Sequence, residues 1–307
     1  MIRLLKEKFE KGVKPSKRSV EEKLKFGVIV LDKPVGPTSH EAASFVKKIL
    51  HLKKAGHTGT LDYNVSGVLV VLLENSCKTA VLFKNNVKTY VGVLKLGGEV
   101  EREKLEEAVR MFTGDIYQKP PVASAVAKKL RVRRVYDFKI LEKKGLKVLF
   151  KTRVESGTYI RTLCFHVGEF LGVGGEMEEL RRVESGPFKE SQAVILQKLV
   201  DAEWLYSQGK GERLSEIVLN IEDALKMMKV KKVIASDYAL HSISSGADLA
   251  VPGVAGLDES ITRNDIVGVF TGKGELVCIG KALMSSSEVL KSKKGVAIDV
   301  ERVVHSF

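Results

Sequence analysis

Gly56-His57-Thr58-Gly59-Thr60-Leu61-Asp62, followed by the apolar run Gly67-Val68-Leu69-Val70-Val71-Leu72-Leu73, is the stretch on which the reading of this chain turns. A short continuous apolar run behind a glycine-punctuated turn has the length and composition of a strand buried on both faces. Two glycines let the turn take positive φ and let a ligand approach the backbone, while the strand behind them holds the turn rigid. The arrangement aims the Asp62 carboxylate into a cleft and makes it the candidate catalytic group. An Asp in a turn also has a purely local use, hydrogen-bonding its own backbone. Composition alone does not separate the two readings.

Working outward, Phe26 to Leu31 reads as a short apolar strand ended by the turn chemistry of Lys33-Pro34-Val35-Gly36-Pro37. Ser39 is placed to cap a helix in which Ala42, Phe45, Val46, Ile49 and Leu50 share one face. Lys88 to Leu96 has strand composition with Tyr90 near its start, and residues 101–113 carry Leu105, Ala108, Val109 and Phe112 on one helical face. Strand patterns return at Val135 to Leu141 and Val148 to Val154. They lead to the turn Gly157-Thr158-Tyr159-Ile160-Arg161 and a predicted helix of Thr162, Leu163, Phe165, Val167 and Phe170. Residues 198–228 read as polar and helical, with the lone Trp204 and an amphipathic segment from Ile217 to Met228. From Val233 onward, short strands broken by glycines predict a small barrel, with the boundary near Lys229 to Lys232.

The chain has 307 residues, enough for two domains, and its formal net charge is +13. Residues 230–307 carry nine basic and nine acidic residues, so the whole excess lies in the larger N-terminal part. Residues 1–25 are charged and weakly patterned and read as a basic extension outside the core. Gln118 to Arg134 holds Lys119, Lys128, Lys129, Arg131, Arg133 and Arg134 without a single acid, which points to contact with a phosphate-rich partner. No apolar stretch approaches the ~20 residues a membrane-spanning helix needs. The opening Met1-Ile2-Arg3-Leu4-Leu5-Lys6 is charged too soon for a signal peptide, so a cytoplasmic location is expected. Cys77, Cys164 and Cys278 are scattered and odd in number, fitting reduced thiols, and the six histidines form no close-spaced ligand set. No metal is expected.

The segments Gly27 to Pro34, Gly36-Pro37-Thr38-Ser39-His40 and Gly56 to Asp62 together resemble the signature of the TruB family of pseudouridine synthases. More narrowly, they resemble the archaeal catalytic subunit of the H/ACA ribonucleoprotein. The resemblance runs from about Phe26 to the C-terminus. It implies an α+β fold, with a mixed, largely antiparallel central sheet and flanking helices over residues 26–229, and a small β-barrel PUA domain at 230–307 that binds RNA. It also implies isomerisation of uridine to pseudouridine in RNA with Asp62 as nucleophile, attack on base or sugar being left open. By the same resemblance Arg161 pairs with Asp62, Tyr90 stacks on the target base, Tyr159 packs under it, Leu180 is its apolar contact, and His57 fills the vacated position. Lys128, Lys129, Arg131 and Arg133 belong to a thumb-like loop that closes over RNA, and Lys33-Pro34 supports the active-site loop.

Guide RNA, substrate rRNA or tRNA, and small ribonucleoprotein proteins are the implied partners. An isomerisation needs no redox change or group donor, so no cofactor is expected. Two other readings remain at this point: a stand-alone synthase for the T-loop uridine of tRNA, and a ribonucleoprotein scaffold without catalysis. The second draws on one departure, Tyr63 in place of the proline that usually follows the catalytic Asp, which predicts a less rigid turn.

Overall fold

The computed structural model describes residues 2–3, 8–119 and 129–307, whose strands form two sheets. A two-residue strand, β1 (Ile2–Arg3), comes first and joins the second sheet. The large sheet takes β2 (Gly27–Lys33), β3 (Ala55–His57), β4 (Ser66–Leu73), β5 (Lys88–Leu96), β6 (Gly114–Gln118), β7 (Arg131–Lys144), β8 (Lys147–Val154), β9 (Gly175–Ser185), β10 (Phe188–Lys189) and β11 (Leu219–Asn220). Its order is β11-β2-β4-β9-β5-β8-β7-β6, with β3 on β4 and β10 on β9. The strands pair antiparallel except β4 with β9, which run parallel through Ser66 opposite Arg181 and Gly67 opposite Arg182. The expected mixed, largely antiparallel sheet with flanking helices is therefore present.

The apolar runs of β2 and β4 become strands because both of their faces are covered. Val28, Val30, Val68, Val70 and Leu72 join Phe83, Phe188, Ile221 and Leu225 in one cluster. The intervening Ile29, Leu31, Leu69, Val71 and Leu73 join Ala42, Val46, Leu199 and Leu214 in another. Period-two alternation thus feeds two cores from one pair of strands. The second sheet takes β12 (Lys232–Ala235), β13 (Leu249–Ala250), β14 (Val254–Leu257), β15 (Ile266–Phe270), β16 (Leu276–Ala282) and β17 (Val296–Val303). Its order is β1-β14-β12-β15-β16-β17-β13, a nearly closed barrel around its own apolar cluster.

Three expectations need correction. The helix Ser39–Ile49 is capped by Thr38, whose hydroxyl and the Glu41 side chain form a capping box, and Ser39 is turned to another use described below. The segment from Ile217 to Met228 is no single helix: helices Glu212–Ile217 and Ile221–Met227 are separated by β11, which pairs with Gly27 and Val28. Pairing with an exposed sheet edge outweighed local helical periodicity there.

The basic N-terminal extension also enters the core. Arg18 is buried, donates to both oxygens of Glu222 at 2.7 and 3.0 Å and to Glu275 Oε1 at 3.1 Å, and lies 4.8 Å over the Phe26 ring. Glu222 stands beside the large sheet and also accepts from the Leu276 amide at 2.9 Å, so Arg18 ties the two sheets together. A charge run looks solvated in sequence. Here one member finds two buried carboxylates more than two hundred residues away.

Arg18→Met should therefore take the shared cation from two buried carboxylates and lower stability at pH 7 by about 3–5 kcal/mol, measured by urea unfolding. Burial pushes the Glu275 carboxyl up, but contacts with His305, the Val13 amide and Arg18 outweigh it and hold the group at about 2 against an ordinary 4.5. Its contribution is then full above pH 4.5 and is lost as pH falls toward 2. The parent should lose stability across that window and the variant somewhat less, since His305 and the Val13 amide still hold Glu275. A loss at pH 7 below about 1 kcal/mol, the scale of an exposed pair, would remove Arg18 from the joint.

Candidate active site

The turn before β4 is held by its neighbours in sequence and by residues far from it. Leu61 and Val65 sink into the core cluster that contains Leu94, Val154, Ile160 and Leu163, which leaves Asp62 between them at the surface. Gly59 takes φ +98°, and Gly67 takes φ +105° with its Cα so close to β9 that a Cβ would stand 2.2 Å from the Arg182 carbonyl oxygen. Only glycine fits at Gly67.

Two side chains then pin the turn. The buried Ser39 hydroxyl accepts from the Leu61 amide at 2.7 Å and donates to the Leu61 carbonyl at 3.0 Å. Arg182, 1% exposed, donates to the carbonyls of Val68 at 2.7 Å, Gly59 at 3.0 Å and Thr60 at 3.5 Å. The Asp62 carbonyl accepts from Val65, and the Tyr63 carbonyl from Gly36 at 2.8 Å, so hydrogen bonds supply the order that a proline would have given.

Around this turn lies a cavity of about 470 Å³ lined by Asp62, Tyr90, Tyr159, Arg161 and Leu180, and also by Lys88, Glu155 and Arg182. Arg161, in the first turn of the helix Ile160–Phe170, donates to Asp62 Oδ2, and both side chains remain partly open to solvent. Tyr90 on β5 stands opposite Arg182 on β9, and Gly92 opposite Leu180. Tyr159 precedes its helix and is clamped through its backbone: Gln118 Nε2 donates to its carbonyl at 3.0 Å and its amide donates to Gln118 Oε1 at 2.9 Å. Five of the expected site residues are thus gathered around one cavity.

His57 is not among the residues lining it. It sits on β3 opposite Val71, its ring 3.5 Å from the Thr60 hydroxyl. Burial, then the positive charges of His40 and Arg182, push its pKa below 6.5, so it is neutral at pH 7.

Residues 120–128 of the basic stretch lie outside the described residues; after them, Arg131, Arg133 and Arg134 lie on β7, paired with β6. Arg133 donates to Glu155 Oε1 at 3.1 Å beside the Gly157 turn, and Arg134 to Asp115 at 2.8 Å. Arg131 is half-buried opposite Gln118, Lys129 is exposed, and Lys128 lies outside the described residues. Alternating polar residues on a strand with one buried face present the same composition as a basic loop, and only the pairing with β6 tells them apart.

Sequence reasoning missed Ser39, Lys88, Gln118 and Arg182 as parts of the site. Lys88 and Arg182 each stand two residues from a named residue, Tyr90 and Leu180, and therefore on the same strand face. That spacing was the available signal.

The chain matches the N-terminal domain of TruB family pseudouridylate synthases over residues 47–160 and the C-terminal domain of tRNA pseudouridylate synthase B over 161–226. It also matches the PUA domain over 231–304 and the DKCLD domain over 5–43. It is 47% identical over 294 residues to the probable tRNA pseudouridine synthase B of Pyrococcus furiosus, covering 95% of this chain and 86% of that one. To the protein of the same name from Methanocaldococcus jannaschii it is 46% identical, over 95% and 87%. Among solved structures it resembles a chain of a Cbf5-Nop10-Gar1 complex at 46% identity and TM-score 0.88, covering 96% of this chain and 90% of that chain. It likewise resembles a chain of an H/ACA ribonucleoprotein bound to a substrate RNA containing 2'-deoxyuridine, at 44% identity and TM-score 0.87, over 97% and 92%.

Arg182→Met should leave three carbonyls without their donor while filling much of the space. At about 1–3 kcal/mol for an unsatisfied buried group, the cost should fall on the turn before it falls on the fold. Amide hydrogen exchange over residues 58–62 should accelerate at least tenfold while the core amides of β2 and β4 stay protected. Unchanged exchange in the turn would show that Ser39 and the β3 pairing suffice to hold it.

Proposed function

We propose, from the premise that the chain belongs to the TruB family of pseudouridine synthases, that it isomerises uridines selected by a guide RNA, with Asp62 as the nucleophile. The single observation that carries this reading is the Asp62–Arg161 pair at the mouth of a cavity lined by two tyrosines and a leucine. Residues 26–229 are the catalytic domain in this reading, and 230–307 an RNA-binding unit.

Uracil must detach from C1′ and return through C5, so the target nucleotide has to leave its stack and the base has to be held while it turns. A cavity of about 470 Å³ accommodates a nucleoside. Tyr90, Tyr159 and Leu180 supply aromatic and apolar surface for the base. Arg161 holds Asp62 in one orientation through a charge-assisted hydrogen bond. His57, neutral behind the turn, is placed to order Thr60. The isomerisation conserves every atom and electron of the substrate, so this chemistry calls for no cofactor.

Guidance is supported by the likeness to chains of H/ACA complexes along nearly the full length, including the N-terminal segment and the second sheet. Proteins of the Nop10 and Gar1 kind are then the expected partners, with guide and substrate RNA. The relatives' name, tRNA pseudouridine synthase B, supports a second substrate class, tRNA.

Asp62→Asn keeps the shape of the turn but cannot form the covalent adduct, so pseudouridine formation should vanish with RNA affinity retained. Product at the parental rate would end Asp62's role. Arg161→Lys keeps the charge but loses the planar fork, so single-turnover rate should fall by about 10²-fold, the scale of a misplacement near 1 Å, while RNA affinity changes little. Equal losses in both would mark Arg161 as an RNA contact.

Guide dependence is tested on the full chain by single-turnover pseudouridylation of an rRNA target with and without its guide RNA. Product should require the guide. Full guide-free activity on tRNA, with none on the guided target, would favour the stand-alone synthase.

A further inference from the structure

Lys88 lies two residues before Tyr90 on β5, and both line the Asp62 cavity. Alternation along a strand puts the two side chains on one face, about 7 Å apart at their origins. A base stacked on Tyr90 therefore has its edge within reach of the Lys88 side chain. Lys88 is 4% exposed, and its ammonium donates to the Asn86 carbonyl at 2.5 Å and the Ser156 hydroxyl at 3.3 Å. Both acceptors are neutral, and one of its three N–H donors is left over.

The charges around it sharpen the point. Of the other charged groups lining the cavity, Asp62 is paired with Arg161, Glu155 with Arg133, and Arg182 is itself a cation resting on carbonyl oxygens. Behind Arg182 stands a third buried cation, Lys33, whose ammonium donates to the Pro34 carbonyl at 2.7 Å. A buried ammonium without a carboxylate costs several kcal/mol. Among the described residues no acid compensates Lys88, and the charge stands ready for an anion that arrives with the substrate.

We propose that Lys88 is a catalytic group of this site: its ammonium donates a hydrogen bond to a carbonyl oxygen of the flipped uracil and stabilises the negative charge that the ring acquires during the isomerisation. This rests on the pseudouridine synthase reading and adds to it. If Asp62 attacks the sugar, C1′–N1 breaks, its electron pair leaves with the ring as a uracil anion, and the carboxylate oxygen bonds to C1′. If Asp62 attacks the ring, the carboxylate oxygen bonds to a ring carbon, the displaced electron pair moves onto a ring carbonyl oxygen, and C1′–N1 then breaks with its pair kept by the ring. Either way charge collects on the oxygens that Lys88 can reach. Afterwards C1′–C5 forms, the bond to Asp62 breaks, C5 loses a proton and N1 gains one. Lys88 keeps its own proton throughout and acts by preorganised electrostatics.

Burial, and after it the charge of Arg182, lower Lys88 to about 8. The ammonium is therefore present below that pH and lost above it. The experiment measures single-turnover pseudouridine formation and RNA affinity between pH 6 and pH 10 for the parent, Lys88→Gln and Lys88→Arg. The parental rate should decline as pH rises through about 8. Lys88→Gln should lose about 10²–10³-fold in rate, the scale for one such donor, with RNA affinity within about twofold. Lys88→Arg should keep the fold and much of the rate, with the alkaline decline moved toward that of the RNA itself, since a guanidinium does not titrate there.

A parental rate in Lys88→Gln, a loss confined to RNA affinity, which would make Lys88 a phosphate contact, or the same alkaline decline in Lys88→Arg as in the parent would each overturn the assignment. If Lys88→Gln fails to fold, the pH profile of Lys88→Arg decides. A parent that forms no product would overturn the enzymatic reading and this assignment with it, whereas an active parent with any of those results overturns the assignment alone.

Discussion

One buried guanidinium holds the active-site turn to the sheet. Arg182 sits on β9 in its parallel pairing with β4, opposite Gly67 of β4 and Tyr90 of β5, and it hydrogen-bonds the carbonyls of Gly59, Thr60 and Val68. The turn that carries Asp62 therefore cannot shift without moving both strands. A guanidinium suits this place because its donors form a rigid fan that meets several carbonyls at once. The cost of burying its charge is met by backbone oxygens instead of a carboxylate. The local field stays positive in consequence, and it falls on the cavity that Asp62 lines.

Charge is handled differently at the joint between the sheets. Arg18 there is matched by two carboxylates, Glu222 and Glu275, and nothing is left over for a ligand. Beneath the Asp62 turn, Lys33, Lys88 and Arg182 are buried with carbonyls and a hydroxyl as partners, and both lysines are pushed toward the neutral form by desolvation and then by Arg182. Neutralised buried charge builds structure, while unneutralised buried charge next to a cavity is a feature of sites that act on anions or develop them.

The residues legible in the sequence were those whose role is written in a contiguous motif. Asp62, Tyr90, Tyr159, Arg161 and Leu180 came from such motifs, and the cavity gathers all five. The residues that escaped act over long separations in the chain: Ser39 on Leu61 across 22 positions, Gln118 on Tyr159 across 41, Arg182 on Gly59 across 123. No local pattern announces such a contact. Ser39 even carried a false local signal, since a serine before an apolar helical face reads as a cap, and Thr38 with Glu41 took that role. Fold class was more legible than register, because continuous apolar runs and short glycine-broken strands depend on burial alone. The start of the strand at Arg131 was hidden because its half-buried positions, Arg131 and Arg133, are basic while Val132 between them is exposed.

That strand also changes how the net charge should be read. Counted along the chain, the basic stretch is an undiluted attraction for phosphate. In the structure Arg133 and Arg134 are engaged by Glu155 and Asp115, residues that come from other segments and that no count along the stretch includes. An exposed ion pair is weak, about 0–1 kcal/mol, so a polyanion can compete for Arg134. Arg133, half-buried against the Gly157 turn, is tied to the wall of the cavity. Attraction for RNA then rests on fewer cations than the formal charge implies, and the nearly neutral second sheet must contribute by shape and specific contacts. The charge distribution itself separates the two sheets: the basic excess lies with the first, the second is nearly neutral, and the buried cations line the cavity and stand apart from the outer surface.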